Sequence, residues 1–408
     1  MRKRILYLTQ WFDPEPGVIK GPAFVRALEA GGYDVTVVTG FPNYPGGRLY
    51  PGYRLRPIMR ETIDGARVTR LPLYPSHDGS SLKRALNFLS FFLSTLFYCL
   101  ARSGRYDLVY VYHPPITVGL AAVLAGMVRR RPLILEIQDL WPDTVSASGM
   151  AGTGRLAGIL GRICAFVYRR ATRIIVQSEG MRRTLIERDV PPARLATVRN
   201  WADAEALAEP ATIDPADYGF GKRFSIVYGG NLGRAQALET VVDAAAIAGA
   251  HNADIDMVFF GDGIDADRLR AHAWAVGATC VRFEARVPKA IITGIFDHAD
   301  ALLIHLADHP LFAITIPSKT QFYLAMGRPI LAAVRGEAAE LLSESRAALV
   351  VPPGDAAALA EAMIALAAMP AAERAAMAAS GRAYYQATLS FDKGIASTLE
   401  VVADALRR

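Results

Sequence analysis

The chain has 408 residues, 52% hydrophobic and 21% charged, with a formal net charge of +6. That length exceeds one ordinary core and implies two domains of roughly 150–200 residues, while the composition excludes a disordered chain. The modest positive charge suits acidic small molecules or an anionic membrane surface, and no nucleic-acid-binding motif accompanies it.

The N-terminal MRKRILYLTQWF passes from a basic cluster straight into a short strand, without the apolar core or cleavage site of a secretion signal. Cys99, Cys164 and Cys280 are odd in number and far apart, which fits a reducing compartment better than disulfides or a zinc site. A cytoplasmic location is expected.

Residues 4–9 read as a strand, Pro22 to Ala30 as a helix stopped by Gly31-Gly32, and residues 34–39 as a second strand. This is a βαβ unit with a right-handed crossover. Its loop, WFDPEPGVIKG, is not the GxGxxG fingerprint, so a nicotinamide enzyme is not expected. Gly17 and Gly21 either let backbone approach a ligand or simply serve a turn. Apolar strands are predicted at 66–71, 108–112, 133–137 and 173–177, most of them ahead of helical segments, as in a doubly wound parallel sheet. Such sheets bind ligands outside the carboxyl ends of their strands. His113 (VYVYHPP) and Asp139 (LILEIQDLWPD) fall there. Pro114-Pro115 ends the strand and puts His113 at a rim, as a ligand contact or as an ordinary strand-end histidine. Asp139 either orients a ligand or caps the turn at Leu140-Trp141-Pro142.

Ala85 to Ala101 is an uncharged run of 17 residues, flanked by Lys83, Arg84 and Arg102, with Asn87, Ser90 and Ser94 as its one polar stripe. That is the lower limit for a membrane span, but a span would split the strands on either side of it between two compartments. The expectation is a helix over 83–102 whose outer face lies in a membrane interface, with basic ends on anionic head groups. A buried core helix is the alternative.

After a strand at 195–198, Asn200-Trp201-Ala202-Asp203 and an Ala-, Pro- and acid-rich stretch mark a domain boundary. The pattern then restarts, with strands at 224–228, 255–260, 279–283 and 301–306 between helices at 237–248, 266–276 and 289–298. Two tandem Rossmann-like α/β domains, 1–200 and 201–390, are predicted, with a cleft between their strand ends. The turn YGGNLGRAQAL brings Gly230, Asn231, Arg234 and Gln236 ahead of a helix. Backbone N–H groups and a guanidinium suit a diphosphate, although a glycine turn also occurs without any ligand. In HPLFAITIPSKTQFYLAMGRPILAA, Pro317 suits a first helical turn and Gly327 ends the helix. Lys319 in that turn opposes the macrodipole, at a cost of a few tenths of a kcal/mol up to about one. With Ser318, Thr320 and free N–H groups it makes an anion site; a solvated surface lysine is the alternative. Asp254-Ile-Asp256 and Asp265-Ala-Asp267 have DxD spacing, but one leads into a strand and the other starts a helix, so no metal is expected.

The turn GGNLGRAQAL, the Gly261-Asp262-Gly263 after a strand, IPSKTQFYLAMGRPIL and VVPPGDAAALAEAM resemble the nucleotide-sugar domain of family four glycosyltransferases, of the GT-B fold. QWFDPEP, TGFPNYPGG, LPLYPSH, LEIQDLWPD and NWAD resemble the branch of fucose and N-acetyl-L-fucosamine transferases of capsule, colanic acid and O-antigen assembly. The resemblance implies a retaining, metal-independent transferase without cofactor, peripheral on the inner face of the cell membrane. It implies a nucleoside-diphosphate sugar donor on the second domain, a polyprenyl-diphosphate-linked sugar or glycan as acceptor on the first, and a last helix, 391–408, returning to the first domain. The donor site it implies takes in Gly17, Gly230, Asn231, Arg234, Gln236, Gly261, Arg286, Ser318, Lys319 and Gln321. His113, Asp139, Arg234 and Lys319 are the implied catalytic residues. The chain departs from the family in having Asn231 and Gln236 where many members carry Arg and Lys. It also has Ile314 and Phe322 where many carry two glutamates, the second of which binds ribose. Gln321, one residue from Phe322, is displaced by about 100° around the helix. Two other functions fit the same fold: a nucleotide-sugar 2-epimerase and a non-catalytic sugar-nucleotide-binding assembly protein.

Overall fold

The structure, a computed structural model, describes the chain apart from residues 1, 17–18, 77–80, 114, 145–154, 204–206, 208–209, 252–253 and 408. It divides into two compact units, Met1–Arg199 with Gly394–Arg408, and Asn200–Lys393.

The first unit is built on β1 (Lys3–Leu8), β2 (Tyr33–Gly40), β3 (Met59–Ile63), β4 (Ala66–Leu71), β5 (Leu108–His113), β6 (Leu133–Ile137), β7 (Arg173–Val176) and β8 (Leu195–Thr197). They form one sheet in the order β3-β4-β2-β1-β5-β6-β7-β8. Every pairing is parallel except β3 with β4. The strand β6, LILEI, is buried throughout, as expected of a sheet covered on both faces. The β3–β4 hairpin is absent from the sequence reading, although its Asp64-Gly65 turn is a strong local signal. Both residues are left-handed, at φ 45° and 86°, as a two-residue hairpin turn requires. The buried Arg70 of β4 ties this hairpin inward, pairing with Glu61 at 2.5 Å and donating from Nη1 to Gly40 O at 3.0 Å.

Helix α1 (Pro22–Ala30) begins at a proline that needs no N–H partner. Helix α2 (Ser81–Arg102) turns its polar stripe inward. Asn87, Phe91, Thr95 and Cys99, spaced by four, are all buried. Ser90 Oγ accepts from Tyr74 N at 2.7 Å, and Ser94 Oγ donates to Pro72 O at 2.7 Å. The face turned outward is apolar: Leu82, Leu86, Leu89, Leu93 and Phe97 are 42–71% exposed. Helix α3 (Ile116–Arg129) packs beside α2, and Arg129 Nε donates to Leu100 O at 2.8 Å. The C-terminal helix Phe391–Arg407 contributes its residues from Gly394 onward to this unit. Its Leu399 occupies the space in front of Gly31, and its Asp404 pairs with Arg173 of β7 at 3.3 Å.

The second unit holds β9 (Phe224–Gly229), β10 (Ile255–Phe260), β11 (Val281–Glu284), β12 (Ala301–His305), β13 (Ile330–Ala333) and β14 (Ala348–Val351), in the order β11-β10-β9-β12-β13-β14, all parallel. Each sheet therefore has a switch point where strand order reverses, between β1 and β5 and between β9 and β12. In open α/β sheets ligands bind outside the carboxyl ends of the strands at such a point. His113 ends β5 and the glycine turn follows β9, so the residues singled out in the sequence stand at both.

Candidate functional site

In the second unit the glycine turn and Lys319 meet. The turn lies backbone to backbone on the loop after β10: Gly230 N donates to Phe260 O at 2.9 Å, and Leu232 N to Asp262 O at 2.9 Å. A Cβ on Gly261 would lie 1.9 Å from Gly230 O, and one on Gly263 would lie 2.3 Å from Leu232 O, so both positions exclude side chains. Lys319 stands in the first turn of the helix Ser318–Met326, which Pro317 caps and left-handed Gly327 closes. Its ammonium lies 3.5 Å from the centroid of the Tyr228 ring and over Gly230, where a Cβ would be 2.9 Å from Nζ. Among the described residues Nζ has neither a hydrogen-bond acceptor nor a carboxylate.

Burial pushes the Lys319 pKa down from 10.5 to about 7. The face of Tyr228 pulls the other way by favouring the ammonium. The turn adds further donors without partners: the N–H groups of Asn231 and Gly233 bond to no described residue. Arg234 is exposed and pairs with no described carboxylate. Asn231 Nδ2 reaches Gln236 Oε1 at 3.4 Å, which braces the turn from inside. Ser318 is exposed at the helix start, and Arg286 is exposed in the loop after β11, whose Glu284 O accepts from Gly261 N at 3.3 Å. A half-buried cation, a guanidinium and free N–H groups on two element starts make a site for a multiply charged anion.

Gln321 requires a correction. It is buried, and its amide nitrogen donates to Pro317 O at 2.9 Å and Ser318 O at 3.2 Å in the orientation that satisfies both groups. Its offset around the helix turns it into the core, where it holds the helix entry and does not face a ligand. Gly17 lies outside the described residues.

In the first unit, two buried networks gather the loops at the carboxyl edge. Glu15 accepts from Asn43 N and Tyr44 N, each at 2.8 Å, and from Phe12 N at 3.3 Å. Desolvation raises its pKa to about 7 against the lowering effect of those N–H groups. Gln10 Nε2 donates to Asn87 Oδ1 at 2.6 Å, and Asn87 Nδ2 donates to Tyr74 O at 2.7 Å and Asn43 Oδ1 at 3.3 Å. The inner face of α2 is thus tied to the loops after β1, β2 and β4. Beside them Lys20 and Glu136 form an ion pair at 2.5 Å, both 1% exposed, and Tyr110 donates to the same carboxylate.

His113 ends its strand as predicted, but its side chain is not at an open rim. It is 0% exposed, packed edge-on against Trp141 with centroids 5.7 Å apart, and neither ring nitrogen has a partner among the described residues. Burial holds the imidazole neutral, with a pKa pushed down to about 3. An aromatic row continues from Trp141 through Phe88 of α2 and Trp11 to Tyr44, with centroids 5.8–6.4 Å apart. Asp139 is half-buried, and desolvation raises its pKa. Its carboxylate caps no turn among the described residues; it is the backbone carbonyl that accepts from Trp141 N at 3.0 Å. The sequence reading missed this aromatic row, Tyr228 and a second strand-end histidine, His305. The signal for His305 was the one that identified His113, a histidine closing an apolar strand. Among the described residues no group of three or more His, Cys, Asp or Glu could hold a metal ion.

The Lys319 environment has a pH signature. With a folded pKa of about 7 and an unfolded value of 10.5, the unfolded chain holds the extra proton between those limits. Stability should therefore rise with pH across that window and be flat below it, where both states hold the proton and the full penalty applies. Lys319→Met should stabilise the unliganded protein near pH 6, on the order of 1–3 kcal/mol after allowing for solvent screening, with little effect above pH 10.5. Urea denaturation of both proteins across the range checks this, and an equal offset at every pH would contradict it.

Residues 23–201 match the family described as Glycosyl transferase 4-like domain, and residues 223–369 match Glycosyl transferases group 1. "Probable glycosyltransferase WbjE" of Pseudomonas aeruginosa is 27% identical over 228 residues, 54% of this chain and 56% of that protein. WcaI of Escherichia coli strain K12, named for colanic acid biosynthesis as a glycosyl transferase, is 29% identical over 234 residues with the same shares. These matches span about half the length of the curated relatives. Anabaena Alr3699/HepE, solved in complex with UDP, superposes over 99% of both chains with a TM-score of 0.70 at 16% identity. Sucrose-phosphate synthase from Thermosynechococcus elongatus superposes over 100% of both, with a TM-score of 0.73 at 18% identity. At those identities the structural likeness establishes the fold, and the two family matches together take in most of the sequence. The chain belongs to the family four glycosyltransferases, of the GT-B fold.

Proposed function

We propose that the protein is a retaining, metal-independent glycosyltransferase that moves a sugar from a nucleoside diphosphate to a lipid-linked sugar or growing glycan in bacterial surface polysaccharide biosynthesis. The observation that carries this reading is the Lys319 ammonium, held over Tyr228 and Gly230 with no counter-anion among the described residues, beside N–H groups that bond to none of them. Breaking the bond between the sugar's anomeric carbon and the phosphate leaves a diphosphate anion, and positive groups fixed in advance where that charge grows lower the barrier. Lys319, Arg234 and the turn N–H groups fill that role. The acceptor hydroxyl bonds to the anomeric carbon as the phosphate departs, and its proton passes to the departing phosphate on the same face. In the first unit Asp139 orients the acceptor and the row Tyr44, Trp11, Phe88 and Trp141 offers apolar ring faces to a sugar, with the neutral imidazole of His113 packed behind Trp141.

The family supports transfer, HepE's complex with UDP supports a uridine diphosphate donor, and WcaI's name supports a surface polysaccharide product. The resemblance to fucose and N-acetyl-L-fucosamine transferases favours a 6-deoxy or acetamido sugar. Helix α2 supports the lipid side of the reading. It spends its polar stripe on the protein interior and leaves leucines and Phe97 outside, flanked by basic residues. That is the arrangement of a helix lying in a membrane interface. The protein then works at the inner face of the cell membrane, where a polyprenyl-diphosphate-linked acceptor is presented.

Two measurements test this. Lys319→Met should weaken binding of UDP or GDP about tenfold to a hundredfold, the worth of one charge-assisted contact, and leave the bare nucleoside almost unaffected. Calorimetric titration of both ligands decides; equal loss for nucleoside and diphosphate would mean that the lysine shapes the site without meeting phosphate. For the helix, Leu89→Ser, Leu93→Ser and Phe97→Ser together should abolish co-sedimentation with phosphatidylglycerol vesicles. The melting temperature should hardly change, because these side chains are exposed. A variant that still sediments fully would remove α2 from the membrane contact.

A further inference from the structure

His305 is the last residue of β12, at the switch point of the second sheet, and is 1% exposed. Its Nδ1 lies 2.7 Å from Gln236 O in the turn that follows β9. A carbonyl oxygen can only accept, so Nδ1 carries the hydrogen and Nε2 is left with a bare lone pair. That Nε2 is buried and has no partner among the described residues. The next residues hold the same register, with Ala307 N donating to Ala235 O at 2.9 Å. The histidine is therefore locked to the anion-binding turn, tautomer fixed, with its accepting nitrogen unused. Burial keeps the ring neutral down to about pH 4, so the lone pair persists at working pH.

A buried acceptor without a donor is costly, and native structures rarely leave one unless something else completes it. What completes this one must donate a hydrogen bond. The phosphate oxygens of a nucleoside diphosphate at neutral pH only accept, so they are excluded. Hydroxyl and N–H groups remain: those of the ribose and base, which a bare diphosphate also carries, and those of the sugar beyond the phosphates, which it lacks. Resting on the donor reading above, we propose that His305 Nε2 accepts a hydrogen bond from a hydroxyl or acetamido N–H of the transferred sugar. His305 then sets donor specificity, distinguishing a nucleotide sugar from the bare diphosphate at a position that recognises the sugar and not the phosphate.

Two substitutions separate this role from simple support of the turn. In His305→Asn the side-chain amide N–H can still reach Gln236 O from near the Nδ1 position, with nothing at Nε2. His305→Gln places an amide oxygen near Nε2. The wild type and both variants are titrated calorimetrically with UDP, UDP-glucose, UDP-N-acetylglucosamine, GDP and GDP-mannose. His305→Asn should keep its affinity for the diphosphate while losing about tenfold or more for the matching nucleotide sugar, and His305→Gln should regain part of that loss. Equal loss for diphosphate and nucleotide sugar would make His305 a brace for the turn or a contact of the ribose or base, and no loss for either would leave its lone pair outside the site; each overturns the assignment to the sugar alone. If the wild type binds none of the diphosphates or their sugars, the donor reading fails and takes the assignment with it.

Discussion

An ammonium without an anion is the constraint on which the second unit's chemistry depends. Lys319 is held against the macrodipole of its own helix, partly desolvated, and among the described residues compensated only by the face of Tyr228. The first two are costs in the free protein that the third partly offsets, and on the proposed function a diphosphate on the turn would offset them further. The surrounding backbone is arranged so that the lysine can occupy that position. Gly230 has no side chain to obstruct it, and Gly261 and Gly263 let the neighbouring loop support the turn by direct backbone contact. Gln321 and Asn231 use their amides to fix the helix entry and the turn. On the proposed function, preorganisation of this kind places the cost of assembling the anion site in folding, so that little reorganisation would accompany the departure of the leaving group.

The first unit answers a different physical problem, that of presenting an apolar face to the outside while keeping polar chemistry dry within. Helix α2 meets both needs because its two faces are inverted relative to a soluble surface helix. Asn87 hooks three loops at the carboxyl edge of the sheet, and Phe88 belongs to the aromatic row that ends on His113, while the leucine stripe points away. One element thus connects the exposed apolar surface to the buried imidazole.

Much of this was legible in the sequence because it followed from periodicity and strand-end rules. The parallel strands, the glycine turn and the placement of His113 and Lys319 all came from local pattern. What stayed hidden depended on long-range contact. Tyr228 reads as an ordinary core aromatic until a helix some ninety residues later lays a lysine over it. Gln321 reads as a candidate ligand contact until the helix phase turns it inward. His113 reads as a rim residue because proline ends its strand, but Trp141 then covers it. The β3–β4 hairpin was legible through Asp64-Gly65, yet its strand MRETI alternates too weakly to stand out beside the fully apolar strands.

The most direct test of this account is the ionisation of Lys319 itself, followed by NMR through its 13C-labelled ε-methylene and assigned by its loss in Lys319→Met. In the free protein the account predicts a midpoint near 7, and saturation with UDP or GDP should carry it back toward 10.5 or above. A midpoint already in the ordinary lysine range in the free protein, or one that a saturating diphosphate leaves unmoved, would contradict it.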